Sequence, residues 1–395
     1  MKEFIKKLLI AIGIKPHQLK AFIDSIISPS VLQNVNNATY SKRCLLVYMT
    51  APFKQKQISQ VHQNYWQCKE MARIIGEYGY VVDVVDYENQ YARLKTKYDL
   101  VVGLIPRNVP KFFNTHLKKN AIRIAYLTSM NLQVTSDNEQ IRLNELYERR
   151  GVKLKPRRFS GYIQKDIESF DAAWFIGNSY NYHSYDSFKM PPVFYIKNSG
   201  YAFKWKDSSI KRDPKSFVFF GSLGAVHKGL DLLLEVFSKI TTDCKLYVCA
   251  GYERENDFCE EYHNELYSTP NIVPMGFVDI NSERFKDMVQ SCAYTILPSC
   301  AEGCAGSVLT VMSGGLIPIV SSVCGFSENE AIVLPDCKVE TIASCVKEYS
   351  CKDEAWIAQN SQKAIEIVNQ KFSQNDFSDS VNMAIKGTLA LHKDK

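Results

Sequence analysis

Phe217-Val218-Phe219-Phe220-Gly221-Ser222-Leu223-Gly224-Ala225-Val226-His227-Lys228-Gly229-Leu230 is the stretch on which the reading of the fold turns. Four apolar residues in a row suit a strand covered on both faces. A glycine-bearing turn follows, and then an apolar run from 230 to 240 that predicts a helix. In open α/β sheets ligands bind beyond the carboxyl ends of the strands, so this turn sits where a ligand would. Glycines let a backbone approach a ligand closely. Lys228 stands near a helix N-terminus, where free N–H groups favour a diphosphate. The turn is not a Walker A loop, because its spacing and the residue after the lysine are wrong. Taken alone, it is open to two readings: a structural turn with a solvated lysine, or a phosphate clamp.

Outward from this unit the pattern repeats. Strands are predicted at 245–250, 272–275, 294–297 and 316–321, with helices over 282–291 and from about 306, and mainly helix over 354–394. Towards the N-terminus, strands are predicted at 44–49, 80–85, 99–104, 121–128 and 172–176. A helix over 61–78 stops at Gly79, and another opens on a capping box of Ser136 and Glu139 and stops at Gly151. Alternating strands and helices predict an α/β protein with doubly wound parallel sheets. At about 100–200 residues per domain, 395 residues predict two domains. The mixed segment 191–213, punctuated by prolines, reads as their connection. The expected division is an appendage at 1–41, an N-terminal Rossmann-like domain at 42–200, a C-terminal one at 201–370, and a final helix at 371–395 crossing back to the first.

The composition, 46% hydrophobic and 23% charged, is that of an ordinary soluble enzyme, and a net charge of +6 does not demand a nucleic-acid partner. Twelve cysteines include no C-x-x-C pair and no zinc-finger spacing, so they read as reduced thiols serving as small buried hydrophobes, which suits a reducing cytosol. No apolar run reaches the roughly 18–20 residues that span a bilayer. Residues 1–14 read as an amphipathic helix with Lys2, Lys6 and Lys7 on one side, lying either on an anionic membrane surface or against the protein.

Two more strand-to-helix segments complete a constellation. In Pro298-Ser299-Cys300-Ala301-Glu302-Gly303-Cys304-Ala305-Gly306-Ser307, Glu302 can reach sugar hydroxyls, while Gly303, Gly306 and Ser307 can offer backbone N–H groups to a phosphate. Ser313-Gly314-Gly315-Leu316 reads as a helix stop and packing. Together the three segments resemble the GT-B glycosyltransferases, the retaining family 4 (glycosyl transferases group 1) in particular. The resemblance covers about 215–330 well and the first half more loosely. It rests on Lys228-Gly229, Pro298-Ser299, Glu302-Gly303, Ala250-Gly251 and Met275-Gly276-Phe277-Val278 in order. The family pattern has an arginine where this chain has Ser222 and a second glutamate where it has Thr310. In the family that arginine helps the lysine hold the diphosphate, and the second glutamate binds the ribose.

The resemblance implies two Rossmann-like domains facing across a cleft, with a nucleotide-activated sugar bound by Gly221, Ser222, Lys228, Gly251, Phe277, Ser299, Glu302, Gly303, Gly306, Ser307 and Thr310. Lys228 would neutralise the leaving diphosphate, Glu302 would orient the sugar, and no metal or other cofactor is called for. His62, at the start of the first long helix, is the third catalytic candidate. With Asn64, Ser129, Asn131 and Asn178 it makes the acceptor side. The basic run 149–158 is either a solvated helix end or a contact for an anionic acceptor or membrane headgroups. The expectation is a glycosyltransferase acting on a glycan or lipid-linked glycan, retaining, in polysaccharide or cell-envelope assembly, cytoplasmic or peripheral at the inner face of the membrane. The alternative is a non-catalytic GT-B relative. A nicotinamide oxidoreductase finds no support, since Thr50-Ala51-Pro52 stands where G-x-G-x-x-G would follow the first strand.

Overall fold

The computed structural model describes residues 31–55, 63–87, 89, 92–104, 115–158, 167–203, 211–240 and 243–393. Two six-stranded sheets carry the fold, and every strand pair in them is parallel. The first contains β1 (Lys42–Tyr48), β2 (Tyr80–Asp86), β3 (Tyr98–Gly103), β4 (Leu117–Leu127), β5 (Ala172–Ile176) and β6 (Val193–Ile196), in the order β2-β1-β3-β4-β5-β6. The second contains β7 (Asp213–Phe220), β8 (Lys245–Cys249), β9 (Ile272–Pro274), β10 (Cys292–Leu297), β11 (Ile317–Ser321) and β12 (Ile332–Leu334), in the order β12-β11-β10-β7-β8-β9. This is the doubly wound α/β architecture that the alternating pattern predicts. Its strands are buried on both faces: the Phe217, Val218 and Phe219 side chains are fully enclosed.

The longer helices are α1 (Gln63–Glu77), α2 (Leu132–Arg150), α3 (Leu230–Lys239), α4 (Glu283–Ser291), α5 (Gly306–Met312), α6 (Val339–Tyr349), α7 (Glu354–Lys371) and α8 (Gln374–Lys393). The helical C-terminal stretch is broken at Phe372, and α8 packs on α1 and β6 of the first domain, with the Trp174 indole donating to Thr388 at 3.2 Å. Among the described residues no helix is long and apolar enough to cross a membrane. All twelve cysteines are free thiols and eight of them are buried, consistent with a packing role.

Three sequence expectations need correction. The proline-bearing segment after 190 is not all connection, because Val193–Ile196 is the edge strand of the first sheet. The strand β12 and helix α6 were not foreseen; three residues of strand are too short to show a period. The helix α2 does not open at Ser136. Asn131 caps it, its side chain accepting from the Gln133 and Val134 amides, while Ser136 bonds back to the Leu132 carbonyl at 2.9 Å. Residues 1–30, with the expected amphipathic helix at 1–14, lie outside the described residues.

Candidate active site

In the second sheet the chain runs from β7 to β8 on one side and returns at β10 on the other, so the crevice between β7 and β10 is the topological switch point. The loops leaving these two strands carry Lys228 and Glu302. Gly229 lets them meet: its φ is 76°, and a Cβ there would lie 2.5 Å from the Pro298 carbonyl oxygen. The Lys228 ammonium forms an ion pair with Glu302 Oε1, with side-chain exposures of 8% and 16%. The Ser299 hydroxyl donates to the same oxygen at 2.9 Å. Burial alone pushes the Glu302 carboxyl up, but the charge and hydrogen bond of Lys228, with the more distant charge of Arg158, outweigh it and hold it below the usual carboxylate range. Lys228, Ser299 and Glu302 are thus brought together.

His227 fastens the two loops. Its Nε2 lies 2.9 Å from the Ala301 carbonyl and its Nδ1 3.4 Å from Cys300 Sγ, while the Cys300 amide donates to the His227 carbonyl at 2.9 Å. Burial, reinforced by the Lys228 charge, pushes the imidazole pKa down to about 3. The ring is therefore neutral near pH 7, with Nε2–H donating to Ala301. Nδ1 then accepts from the Cys300 thiol, whose pKa burial pushes up to about 12.

The free amides expected at the start of α3 are not free. Those of Lys228, Gly229 and Leu230 donate to the carbonyls of Gly224, Val226 and Ala225 at 2.8, 3.0 and 2.9 Å. Those of Gly224 and Ala225 donate to the buried Glu255 carboxylate at 2.6 and 3.2 Å. A carboxylate of the protein thus takes the Gly224 and Ala225 amides, part of the cradle where the sequence suggested a phosphate.

The other donor-side candidates fall into two groups. Gly221 and the exposed Ser222 follow β7, Gly251 follows β8, and Phe277, 60% exposed, follows β9, so these four lie at the carboxyl ends of three neighbouring strands on the β7 side of the crevice. Gly303, Gly306, Ser307 and Thr310 lie on the other side of Glu302, against the first domain. A Cβ at Gly303 would be 2.6 Å from the carbonyl oxygens of both Thr128 and Ile176. The Gln63 amide donates to the Gly306 carbonyl at 3.0 Å and to the Thr310 hydroxyl at 3.2 Å, and that hydroxyl donates to Gly306 at 2.8 Å. Thr310 is buried with its hydroxyl engaged on both counts, whereas Ser307 is half-buried at the start of α5.

On the first domain, His62 lies outside the described residues, and Asn64 is half-buried on α1. Ser129 bonds to the Met130 carbonyl, Asn131 caps α2, and Asn178 caps the turn Ser179–Tyr182. These three side chains hold backbone. The contacts to the second domain come from neighbours: the Met130 amide and the Asn181 side chain donate to the Glu302 carbonyl at 3.1 and 3.2 Å, and the Asn138 side chain donates to Cys300 at 2.8 Å.

The basic run proves to be an interdomain clasp rather than a solvated helix end. Arg149 pairs with Asp231 and Glu235, Arg150 with Glu261 and Glu265, and Arg157 with Glu255 and Asp257. Glu139, read from sequence as a capping residue, accepts the Arg157 and Arg158 amides at 3.0 Å and 2.9 Å and so fixes the end of the run. Nothing in the local sequence signals these long-range partners.

Residues 214–350 match the family described as glycosyl transferases group 1. No curated protein matches the chain in sequence. Several solved structures share its fold. Sucrose-phosphate synthase from Thermosynechococcus elongatus is 12% identical over 88% of this chain and 99% of its own, with a TM-score of 0.61. TarM of S. aureus, solved with fondaparinux, α-GlcNAc-glycerol and UDP, is 15% identical over 74% of this chain, with a TM-score of 0.52; the match spans only 55% of TarM. HepE of Anabaena, solved with UDP-glucose, is 12% identical over 88% of this chain and 99% of its own, with a TM-score of 0.51. The chain thus has the GT-B fold, and within it residues 214–350 are similar to the glycosyl transferases group 1.

Proposed function

We propose that the chain is a glycosyltransferase that moves a sugar from a nucleotide-activated donor to an acceptor, with retention of configuration. The observation that carries this reading is the Lys228–Glu302 pair at the switch point of the second sheet. A donor exchanges that one pair for two contacts. Lys228 turns to the diphosphate and offsets the negative charge that grows on it as the glycosidic bond breaks. Glu302, released, takes the sugar hydroxyls and holds the anomeric carbon in a reactive orientation. Ser299 and the neutral His227 keep the two loops in register during the exchange. The UDP and UDP-glucose held by neighbours of the same fold support a nucleoside diphosphate as the leaving group. The acceptor, a glycan or lipid-linked glycan, enters from the first domain, and peripheral contact with an anionic membrane would suit the lipid-linked case.

A panel of UDP-, ADP- and GDP-sugars, assayed for release of nucleoside diphosphate, tests this reading. Turnover of one of them is expected. Tight binding of a donor with no turnover in the presence of any acceptor would favour the second reading, a non-catalytic relative. The engaged hydroxyl of Thr310, where the family pattern has a glutamate, is the observation behind that alternative.

A further inference from the structure

Four arginines belong to the run 149–158, which begins in the last turn of α2, and they are not equivalent. Arg149, Arg150 and Arg157 are each paired with two carboxylates of the second domain. Arg158 has no carboxylate partner among the described residues. Its guanidinium instead reaches over the loop after β7, donating to Ser222 Oγ at 2.8 Å and to the Leu223 carbonyl at 3.0 Å. The side chain packs along the loop at Gly224, where φ is 94° and a Cβ would lie in contact with Arg158 Cγ and Nε at 3.4 Å. The Arg158 side chain is exposed although its backbone is held by Glu139. Its charge is felt at the paired side chains, where it helps lower both the Glu302 and the His227 pKa values.

An exposed cation beside a buried lysine, bonded only to neutral groups, keeps its capacity for an anion. The amides of Gly224, Ala225, Lys228, Gly229 and Leu230 are already engaged by Glu255 and the turn into α3, which leaves more of the anion's charge to side chains. We propose that Arg158, supplied by the first domain, is the second diphosphate-binding cation of the donor site, working beside Lys228 where residue 222 provides only a hydroxyl. The inference rests on the donor-site reading above and extends it. The diphosphate site is then complete only while the clasp of Arg149, Arg150 and Arg157 holds the run against the second domain. A guanidinium suits the role, because its planar fork can bind a phosphate through two parallel N–H bonds.

The test is calorimetric titration of the full chain with UDP, ADP, GDP and the corresponding uncharged nucleosides, for the wild type, Arg158→Ala, Arg158→Lys and the double variant Arg158→Ala with Ser222→Arg. Arg158→Ala should weaken the bound diphosphate roughly 10-fold or more, the loss of a hydrogen bond to a charged group, while leaving nucleoside binding unchanged. Arg158→Lys should recover part of the loss, and moving the cation to position 222 should recover more. Equal weakening of nucleoside and diphosphate would mean that Arg158 only props the loop, and unchanged diphosphate binding in Arg158→Ala would overturn the inference outright. Either result leaves the donor-site reading standing. Only a wild-type chain that binds none of the diphosphates defeats that reading, and this inference with it.

Discussion

The two sheets have nearly the same winding, yet their strand ends do different work. In the second domain the loops after β7 and β10 meet at the switch point and bring together a lysine, a glutamate and a buried histidine. In the first domain the elements that face them are the ends of β4 and β5, displaced from that sheet's own switch point between β1 and β3. What they present is mostly amides, carbonyls and helix caps. The lesson is that one domain supplies charge and the other supplies a surface against which the charged loop is set. The charges that the first domain does send across come from the basic run and not from its strand ends: Arg149, Arg150 and Arg157 pair with carboxylates, and Arg158 alone of the four reaches the loop after β7.

This division can be broken at several points. The largest effect is expected from Lys228→Ala, which leaves Glu302 as an unpaired charge in a nearly closed site. Breaking such a pair costs about 3–5 kcal/mol, to be read as a loss of unfolding free energy in denaturant titration; a loss under 1 kcal/mol would show that water already solvates the pair. Gly303→Ala attacks the seam between the domains. Its Cβ would meet two backbone carbonyls, which cannot move independently of β4 and β5. Overpacking of this kind costs about 1–3 kcal/mol; an unchanged stability would mean the seam opens readily.

His227 sharpens the comparison through pH. Its folded pKa of about 3 lies below that of an unfolded histidine, so the unfolded state binds the extra proton and stability is lost as pH falls below about 6.5. By pH 5.5 the loss should be about 1.4 kcal/mol. His227→Gln, which keeps a donor for Ala301, should lack this component; identical pH dependence in the two proteins would contradict the buried neutral ring. The smallest effect is expected from Asn131→Ala. Removing the α2 cap should cost about 1 kcal/mol and leave nucleoside diphosphate affinity untouched. A selective loss of acceptor turnover at full stability would instead give Asn131 a part in binding.

What the sequence made legible follows the range of the interactions. The strands read at 217–220 and 294–297 were legible because burial on both faces leaves largely apolar runs. Lys228 and Glu302 were readable as candidates because each sits in a turn between such a strand and a helix. Their pairing was not, since 74 residues separate them. Glu139 and Glu255 were missed in the site for the same reason: a carboxylate that holds the amides of a distant loop carries no local pattern. Asn131 and Asn178 stand out in the sequence as acceptor-side candidates, and in the fold their side chains cap backbone. The basic run was conspicuous, yet only the folded arrangement separates the three clasped arginines from Arg158.

The most direct test of the account is to titrate wild type, Lys228→Ala and Glu302→Ala with nucleoside diphosphate and to assay each for donor turnover. Lys228→Ala should lose about 2–3 kcal/mol of diphosphate affinity, the scale of bonds to charged groups. Glu302→Ala should bind the diphosphate as tightly as wild type or more so, since Lys228 is released from its partner, while turnover falls about 100-fold or more as the sugar loses its orientation. Loss of diphosphate binding in Glu302→Ala together with normal binding in Lys228→Ala would contradict the assignment of the phosphates to one residue and the sugar to the other.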